Sequence, residues 1–319
     1  MRPLDKLAMR DAFAQAAIEA AERLPNLIVL DADVSKSTKS SVFAQVFPNR
    51  FLNVGIAEQN MVSIAAGLAA AGMIPVVNTF SMLLSMRALD QIRQSVAYTR
   101  LNVKIMGHYG GYSAGPEGPT HHAIEDLGII RSLPNMTLLV PCDATEARAA
   151  FHAAVASDGP CYLRLCRNPV PRVLEAPQPF VIGQGYELRG GWDLTIVAMG
   201  VMVARALEAA DLLSARGIDA RVVAMPSLKP VDRALVERAA RETGGIVTAE
   251  EHNIYGGLGS AVAEVVAETA PVPVERVGIR DCFAESGDYF ELLDKYGLGV
   301  RDIEAAAERV LRRKMDARV

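Results

Sequence analysis

The distribution of hydrophobic and polar positions divides the first part of the chain into alternating strands and helices. Short apolar runs that suit buried strands occupy residues 26–33, 74–80, 102–108, 136–142 and 160–167. Apolar positions at helical spacing occupy residues 8–24, 88–98, 123–133 and 144–156. A further helix is expected after Glu58. This alternation predicts an α/β fold, with a mostly parallel sheet and helices on both of its faces.

The pattern breaks and then restarts in the second part of the chain. Prolines and then glycines crowd one stretch, at positions 169, 171, 177, 179, 183, 185, 190 and 191. That composition predicts a linker with a hairpin at a sheet edge. Strand patterns then occupy residues 193–200, 219–225, 244–251 and 274–279, and helical patterns occupy residues 203–217, 233–243, 260–269 and 303–314. We therefore predict two domains, residues 1–175 and 192–319, joined by a linker over residues 176–191; the second is a smaller α/β domain.

The run from Gln59 to Met86 has no charged side chain and is long enough to span a membrane. It carries several polar side chains, however, Pro75 interrupts it, and it is rich in Ala and Gly rather than Leu. We therefore predict a buried helix of small residues, then a short strand and a loop, without membrane contact. Gly67 and Gly72 would allow a close backbone approach there, as at a contact with another subunit.

Composition and charge narrow the classes of protein that fit. The chain has 319 residues, enough for about two domains, and half of them are hydrophobic. Its net charge of −4 and the lack of a basic stretch argue against a nucleic-acid partner. The N-terminal segment lacks the apolar core of a signal peptide. The four cysteines show no Cys-x-x-Cys spacing and suit thiols in a reducing compartment, so a cytoplasmic location is expected.

Glu58 stands at the head of the uncharged run and is the most informative residue of the sequence. A carboxyl group that enters such a run is expected to be buried, and burial favours its protonated form. Such a group can hold a proton, or share one with a ligand, near neutral pH. The other interpretation of this residue alone is a helix start with a partly exposed acid, because buried carboxylates are rare.

The segment that holds Glu58, FLNVGIAEQNMVSIAAGLAAAG, resembles the pyrimidine-domain motif of transketolases. Further matches follow in the family's order: NTFSMLLSMRALDQIRQS, EGPTHHAIEDLGIIRSLPNM, YLRLCRNP and VTAEEHNIYGGLGSAV. The chain thus resembles the C-terminal half of a transketolase, in the form that is split into two polypeptides. The resemblance implies a thiamine diphosphate pyrimidine-binding domain followed by a transketolase C-terminal domain. It also implies transfer of a two-carbon ketol unit from a ketose to an aldose acceptor.

The resemblance assigns a set of cofactor-binding residues. It implies that the carboxyl group of Glu58 bonds the pyrimidine ring and activates the cofactor, and that Phe80 stacks on that ring. Asp33 resembles an acid near the thiazolium ring and the subunit interface. Leu83 and Met86 stand where transketolases often have aromatic residues, which makes this pocket less aromatic. By themselves, Phe80 would be a core residue at a strand end and Asp33 a turn or helix cap.

The metal and diphosphate ligands of the family are missing from the sequence. Transketolases hold the diphosphate through Mg²⁺ and a Gly-Asp-Gly motif, and the nearest match here is Ser-Gly-Asp-Tyr at residues 286–289. Glu250, Glu251 and His252 resemble metal ligands only superficially. The resemblance therefore implies an N-terminal partner subunit that brings these groups, a heterotetramer with a self-contact between copies of this chain, and no activity of the chain alone.

A second group of residues matches transketolase positions that hold a sugar phosphate: Arg10, Ser37, His108 and Arg167. Two guanidinium groups, an imidazole and a hydroxyl that converge on one point suit a tetrahedral anion. A sulfonate would be held by much the same groups, so the anion stays open. Taken singly, each residue would more often be a surface charge or a satisfied polar group.

The loop HYGGYSAGPEGPTHH departs most from the family pattern. Within it His121 resembles the histidine that assists proton transfer near the reacting carbonyl, and Glu117 stands where transketolases usually have an aspartate that contacts a sugar hydroxyl. The loop is one residue longer than expected, with Tyr109, Tyr112 and Pro116 at unusual places. Because it should line the acceptor channel, an ordinary pentose phosphate substrate is in doubt.

Related functions stay open from the sequence. The beta subunits of 2-oxoacid dehydrogenases are similar in size but lack EGPTHH together with RLCRNP. 1-Deoxy-xylulose-5-phosphate synthase has a related motif around Glu58 but carries its diphosphate domain on the same chain. A non-catalytic scaffold subunit is a rival of another class, which Leu83, Met86 and the altered loop favour and Glu58 opposes.

Overall fold

A computed structural model describes residues 6–174 and 179–316, which form two mostly parallel sheets and one short antiparallel pair of strands, packed against helices. The strands are β1 (Lys6–Ala8), β2 (Leu27–Asp31), β3 (Phe51–Asn53), β4 (Ile74–Phe80), β5 (Lys104–His108), β6 (Thr137–Leu139), β7 (Cys161–Leu165), β8 (Pro169–Pro171), β9 (Tyr186–Arg189), β10 (Leu194–Ala198), β11 (Ala220–Ala224), β12 (Ser227–Lys229), β13 (Ile246–Asn253) and β14 (Val274–Ile279). The helices are α1 (Met9–Arg23), α2 (Ser35–Thr38), α3 (Ser40–Val46), α4 (Glu58–Ala70), α5 (Leu89–Gln91), α6 (Asp126–Ser132), α7 (Ala144–Ala156), α8 (Met202–Ser214), α9 (Arg233–Thr243), α10 (Leu258–Thr269), α11 (Tyr289–Lys295) and α12 (Val300–Asp316).

The first sheet has the strand order β12-β6-β7-β5-β4-β2-β3. Its neighbouring strands are parallel, except for the antiparallel pair of β12 and β6. Strands β2, β5 and β7 are buried along their whole length, which explains why their sequences are mainly apolar without a polar residue at every second position. The predicted α/β fold with a mostly parallel sheet is confirmed. Strand β12 lies in the range predicted for the second domain and completes the edge of this first sheet.

The second sheet has the strand order β14-β13-β10-β11-β9 and is parallel except for β9. The prediction of a hairpin near residues 183–191 is wrong, because β9 is an edge strand that pairs with β11 and not with a strand next to it in sequence. Residues 175–178, at the end of the predicted first domain and the start of the predicted linker, lie outside the described residues. The domain boundaries therefore stay predictions.

The segment after β4 is helical, so the loop predicted at the end of the uncharged run is wrong. Residues Leu83–Arg87 form a wide helical turn in which the amide of Ala88 donates to the carbonyl of Leu83 at 3.2 Å. Helix-forming Leu, Met and Arg side chains favour such a turn over a loop. A second wide turn covers Ile92–Ala97. Such turns are rare and occur often at functional sites.

Arg164 on β7 joins the first sheet to the second part of the chain. Its buried guanidinium donates to both oxygens of Asp126 at 3.1 Å, to the carbonyl of Ala123 at 2.6 Å and to the carbonyl of Glu251, on β13, at 2.9 Å. Tyr289 from α11 donates to the Glu251 carboxylate at 3.1 Å. Burial raises the pKa of Glu251 to about 7, although Arg164 favours its charged form. No helix of the described residues combines the length and the hydropathy needed to cross a membrane.

Candidate functional site

The candidate site lies along one edge of the first sheet, where its parallel strands end. Phe80 ends β4, His108 ends β5, and Arg167 follows β7 by two residues. Asp33 and Glu58 follow β2 and β3. Because neighbouring parallel strands share one carboxyl edge, the fold brings these sequence-distant residues to the same side, which is where open α/β sheets bind ligands.

Glu58 is the first residue of α4, and its side chain is only 1% exposed. The carboxylate is paired with Arg87: Nη1 lies 2.8 Å from Oε2, and the arginine side chain is 48% exposed. The helix N-terminus also favours a negative charge at this position. The expectation of a buried carboxyl group is confirmed. Arg87 is a residue of the site that sequence reasoning missed, although it is the very charge that ends the uncharged run.

Three rings of the candidate site lie against one another at this edge. The Phe80 ring is 4.4 Å from the ring of Tyr109 and 6.0 Å from that of His121. His121 is half-buried, and its Nδ1 lies 3.0 Å from the hydroxyl of Thr120. Tyr109 is buried and has a φ of 62°, which is strained for an aromatic residue. The altered loop therefore begins with a ring placed directly on the residue that the resemblance assigned to the cofactor.

The other predicted cofactor residues lie at the rim of this site. Asp33 is exposed, has a φ of 65°, and accepts a hydrogen bond from the side chain of Asn53 at 2.9 Å. Leu83 is half-buried at the start of the wide turn, and Met86 is exposed. The roles predicted for Asp33, Leu83, Met86 and Phe80 toward a cofactor stay predictions.

Arg10 and Ser37 of the predicted anion set are brought together. Arg10, at the start of α1, donates from Nη1 to the backbone carbonyl of Ser37 at 3.0 Å and to the hydroxyl of Tyr109 at 3.4 Å. Its Nε is buried and has no hydrogen-bond partner among the described residues. A buried donor without a partner is costly, so Arg10 is suited to receive an anionic ligand.

Arg167 approaches the same point from the end of β7. Its guanidinium carbon lies 5.0 Å from the centre of the Tyr109 ring. Its Nη1 donates to both carboxylate oxygens of Glu117 at 3.0 Å. Glu117, which the resemblance assigned to a sugar hydroxyl, is thus paired with an arginine that the resemblance assigned to the anion.

His108 is buried deeper than the other members of the set. The Asn78 side-chain amide donates to two backbone carbonyls, which fixes its oxygen as the acceptor for Nε2 of His108 at 3.0 Å. Burial, and then the charge of Arg10, lower the pKa of His108 to about 3, so the ring is neutral. Its single proton lies on Nε2, which leaves Nδ1 as a hydrogen-bond acceptor. The predicted role in holding an anion stays a prediction, and the ring adds no charge.

The loop between His108 and His121 is held by contacts that the sequence did not reveal. A Cβ at Gly110 would lie 2.6 Å from Nε of Arg164, and one at Gly111 would lie 2.2 Å from the Glu251 carboxyl carbon. The amide of Tyr112 donates to Glu251 at 2.7 Å. Only glycine fits at these two positions, and the close packing after Tyr109 explains how its unfavourable φ is maintained.

Acidification is expected to destabilise the protein through His108. A histidine in the unfolded chain has a pKa of about 6.5, whereas burial lowers the pKa of folded His108 to about 3. Below pH 6.5 the unfolded state therefore binds a proton that the native state does not, and stability present above that pH is lost as the pH falls. Between pH 6.5 and 5.0, wild type should lose on the order of 1–2 kcal/mol of unfolding free energy relative to His108→Gln, measured by denaturant titration.

The comparison with His108→Gln is needed because other buried groups titrate in the same range. Burial lowers the pKa of His252 to about 4, which acts in the same direction, and raises the pKa of Glu250 and Glu251 to about 7, which acts in the opposite direction. These contributions cancel in the difference between the two proteins. A difference that stays constant from pH 6.5 to 5.0 would contradict a buried neutral His108.

Glu250, Glu251 and His252 have structural partners. Glu250 accepts from the amides of Leu258 and Gly259 at the start of α10, at 2.7 and 2.8 Å. Among residues 6–174 and 179–316, no group of three or more His, Cys, Asp or Glu side chains is arranged to hold a metal ion.

Comparisons with known proteins define the family. The chain matches the model of the transketolase pyrimidine binding domain over residues 5–172 and that of the transketolase C-terminal domain over residues 183–303. It is 43% identical to the 6-deoxy-6-sulfo-D-fructose transketolase subunit SqwH of Clostridium sp. strain MSTE9, over 98% of this chain and 97% of that protein. It is 39% identical to an apulose-4-phosphate transketolase subunit of Phocaeicola vulgatus, over 92% of this chain and 94% of that protein.

A solved structure agrees with this relation. It is described as a split gene transketolase, inactive beta4 tetramer, and is 49% identical, with a TM-score of 0.89 over 97% of this chain and 99% of that one. The chain therefore belongs to the transketolase family. It is a transketolase subunit of the split type, as predicted, because it aligns with nearly the full length of separate subunits.

Membership of this family implies dependence on thiamine diphosphate. The residues at the carboxyl edge fit such a cofactor. Glu58 is a buried carboxylate at the N-terminus of α4, and the aromatic residue Phe80 ends β4 of the same sheet. The fold, the family and the split form of the enzyme are thus established, whereas the roles of individual residues stay predictions.

Proposed function

We propose that this chain works with a separate subunit that binds the cofactor's diphosphate, and that the pair transfers a two-carbon ketol unit from a ketose to an aldose. The donor carries an anionic group, phosphate or sulfonate, at its far end. The observation that carries this proposal is the placement of a buried glutamate, Glu58, along the same sheet edge as the guanidinium groups of Arg10 and Arg167. A buried glutamate suits cofactor activation, and the two guanidinium groups suit recognition of an anion.

The residues of this chain divide between the cofactor and the substrate. When bound, thiamine diphosphate supplies the nucleophilic carbon that a ketol transfer needs. Glu58 holds the pyrimidine ring through its carboxyl group, Phe80 packs against that ring, and Asp33 lies nearer to the subunit interface. His121 moves a proton at the reacting oxygen, as an imidazole can near neutral pH. These roles are those that the resemblance to transketolases implies, and the residues lie at the carboxyl edge of the first sheet.

The diphosphate and Mg²⁺ belong to the partner subunit in this proposal. The sequence has no Gly-Asp-Gly motif, and a diphosphate needs a metal with oxygen ligands. The two relatives that are named as transketolase subunits are single chains of nearly the same extent as this one. We propose a heterotetramer with a contact between two copies of this chain. A cytosolic location is part of the proposal, since all four cysteines are free thiols.

The surface around Glu58 supports assembly at this site. Ile56, just before α4, is 74% exposed, and Leu52 on β3 and Met86 next to Arg87 are exposed as well. The outer face of α4 carries small or uncharged side chains, including Ser63 and Gly67. Apolar side chains exposed together with small residues on a helix suit a packed protein contact.

Replacing Gly67 by phenylalanine is expected to weaken assembly while leaving the chain folded. A Cβ at Gly67 would meet no atom within 4 Å, so the larger side chain finds room in the single chain, and helix α4 gains a residue with a higher helix propensity than glycine. Inside a packed subunit contact, the same side chain should weaken association at least about tenfold. Sedimentation of the chain with its partner measures this.

The matched control is Ala305→Phe, which adds a similar aromatic group to an exposed position of α12. It should associate as wild type does. Wild-type association of Gly67→Phe would remove α4 from the proposed interface.

Cofactor binding tests the proposed function. Thiamine diphosphate with Mg²⁺ is titrated by calorimetry into this chain, into the diphosphate-binding subunit and into the co-expressed pair. The proposal expects tight binding by the pair only. A stable pair that does not bind the cofactor would contradict it and favour a non-catalytic scaffold. Turnover of pyruvate instead of a ketose would favour a 2-oxoacid dehydrogenase or a 1-deoxy-xylulose-5-phosphate synthase.

A further inference from the structure

The loop after β5, which carries Glu117 and His121, rests directly on the second part of the chain. Glu117 ends a short 3-10 helical turn, Gly115–Glu117. The amide of Gly287, just before α11, donates to the carbonyl of Gly115 at 3.0 Å. A Cβ at Gly115 would lie 2.4 Å from the carbonyl oxygen of Gly287, so the two backbones touch without room for a side chain.

A second contact lies at the other end of this turn. A Cβ at Gly118 would lie 2.5 Å from the hydroxyl oxygen of Ser286, and Gly118 has a φ of 77°, which favours glycine. The amide of Gly118 donates to the carbonyl of Gly115 at 3.2 Å, and its own carbonyl accepts from the amide of His121 at 2.9 Å. Backbone hydrogen bonds therefore run from the second part of the chain, through Gly115 and Gly118, to His121.

The helix that follows Gly287 is attached to the same loop by a side chain. Tyr289, the first residue of α11, is 1% exposed, and its hydroxyl donates to one carboxylate oxygen of Glu251 at 3.1 Å. The other oxygen of Glu251 accepts from the amide of Tyr112 at 2.7 Å. The loop is thus fixed to α11 at two points, near its beginning and at the turn before Glu117.

The backbones and the side chains of Glu117 and His121 contact different parts of the molecule. The Glu117 carboxylate accepts from Arg167, which follows β7 of the first sheet, at 3.0 Å. The His121 ring lies 6.0 Å from the ring of Phe80, which ends β4. Both side chains therefore belong to the candidate site, while the turn that carries them is held from the second part of the chain.

We propose that the second part of the chain acts in the reaction as a positioning element: the turn at residues 286–287 fixes the backbone of the loop, and with it the places of Glu117 and His121. The inference rests on the proposed function and on the substrate contact that the resemblance gives Glu117. Ser286 and Gly287 act through the loop rather than on the substrate. A displacement of about 1 Å at such a site can cost about 10²-fold in rate.

Gly115→Ala tests this contact with little other disturbance. Gly115 has no positive φ, so its backbone accepts alanine, and the atom nearest to the new methyl group is the Gly287 carbonyl oxygen at 2.4 Å. Ordinary contact begins at 3.4 Å, so the two turns must separate by about 1 Å. In the assembled enzyme, kcat/KM for ketol transfer should fall about 10²-fold, with a higher KM for the aldose acceptor. The affinity for thiamine diphosphate should stay that of wild type, because Glu58 and Phe80 lie on α4 and β4.

Two further variants separate displacement of the loop from misfolding. Gly190→Ala adds the same methyl group where the nearest atom is 3.5 Å away, and it should keep the wild-type rate. Tyr289→Phe keeps the buried ring and removes only the hydroxyl that bonds Glu251, so kcat/KM should fall about fivefold, with the same rise in the acceptor KM. Loss of folded enzyme would instead lower kcat and the stoichiometry of cofactor binding in the same proportion and leave KM unchanged.

Amide hydrogen exchange of the assembled enzyme, without substrate, keeps this inference apart from the proposed function. Peptides that cover residues 110–122 should exchange slowly in wild type and in Gly190→Ala. They should exchange faster in Gly115→Ala and Tyr289→Phe, because the loop loses a fixed attachment. Unchanged exchange in Gly115→Ala, or unchanged transfer despite faster exchange, would overturn the inference. Absence of ketol transfer in wild type, with the expected exchange, would contradict the proposed function and still support the attachment of the loop.

Discussion

Glu58→Gln is expected to lower ketol transfer by the assembled enzyme about 10³-fold. The glutamine keeps the size of the side chain and can still bond a ring nitrogen, but it cannot hold or release the proton that cofactor activation needs. The substitution should leave the fold intact, because the partner that loses its charge, Arg87, is 48% exposed and can turn to solvent. Initial rates at saturating thiamine diphosphate and Mg²⁺ measure the effect.

The control for this prediction is Glu264→Gln, which makes the same chemical change at a solvent-exposed ion pair with Arg131. It should keep the wild-type rate. Circular dichroism and association with the partner show whether Glu58→Gln is folded and assembled. Turnover near that of wild type by a folded, assembled Glu58→Gln enzyme would remove Glu58 from the chemistry.

The largest effect on stability is expected for Arg164→Met. Arg164 is 5% exposed and its main partner Asp126 is fully buried, so methionine would leave a carboxylate without its counter-charge in the core. The backbone carbonyls of Ala123 and Glu251 would lose donors as well. Removing one member of a buried ion pair costs about 3–5 kcal/mol. Denaturant unfolding of the single chain measures the loss.

The matched control is Arg148→Met, at a surface pair with Glu19 where the arginine is 48% exposed. Such a pair contributes at most about 1 kcal/mol, so this variant should unfold close to wild type. Equal stability of the two variants would show that the Arg164 network does not hold the two parts of the chain together.

The sequence predicted most of the described strands because buried parallel strands are mainly apolar. The burial of Glu58 was predictable for a related reason, since the residues that follow it lack charge. The pairing of Glu58 with Arg87 was not predictable. Arg87 lies 29 residues further along, and the two meet only because β2 places β3 and β4 on either side of itself. No local pattern encodes that strand order.

The loop after β5 shows the same limit more strongly. Its unusual tyrosines were visible in the sequence, but their contacts depend on residues far away: Tyr112 binds Glu251 across 139 positions. Tyr109 lies on Phe80, and the backbone after it is packed against Arg164 and Glu251 too tightly for any residue but glycine. The pairing of Glu117 with Arg167 also joins distant residues, and the family pattern assigned those two residues to different parts of the substrate.

The most direct test of the central claim is a ketol-transfer assay of this chain with and without the diphosphate-binding subunit. Sulfonated and phosphorylated ketose donors are supplied with thiamine diphosphate, Mg²⁺ and ribose 5-phosphate as acceptor. We expect transfer by the pair and none by either chain alone. Transfer by this chain alone, or no transfer from any of these donors by a pair that binds the cofactor, would contradict a split transketolase whose activating glutamate and anion-binding arginines lie on this chain.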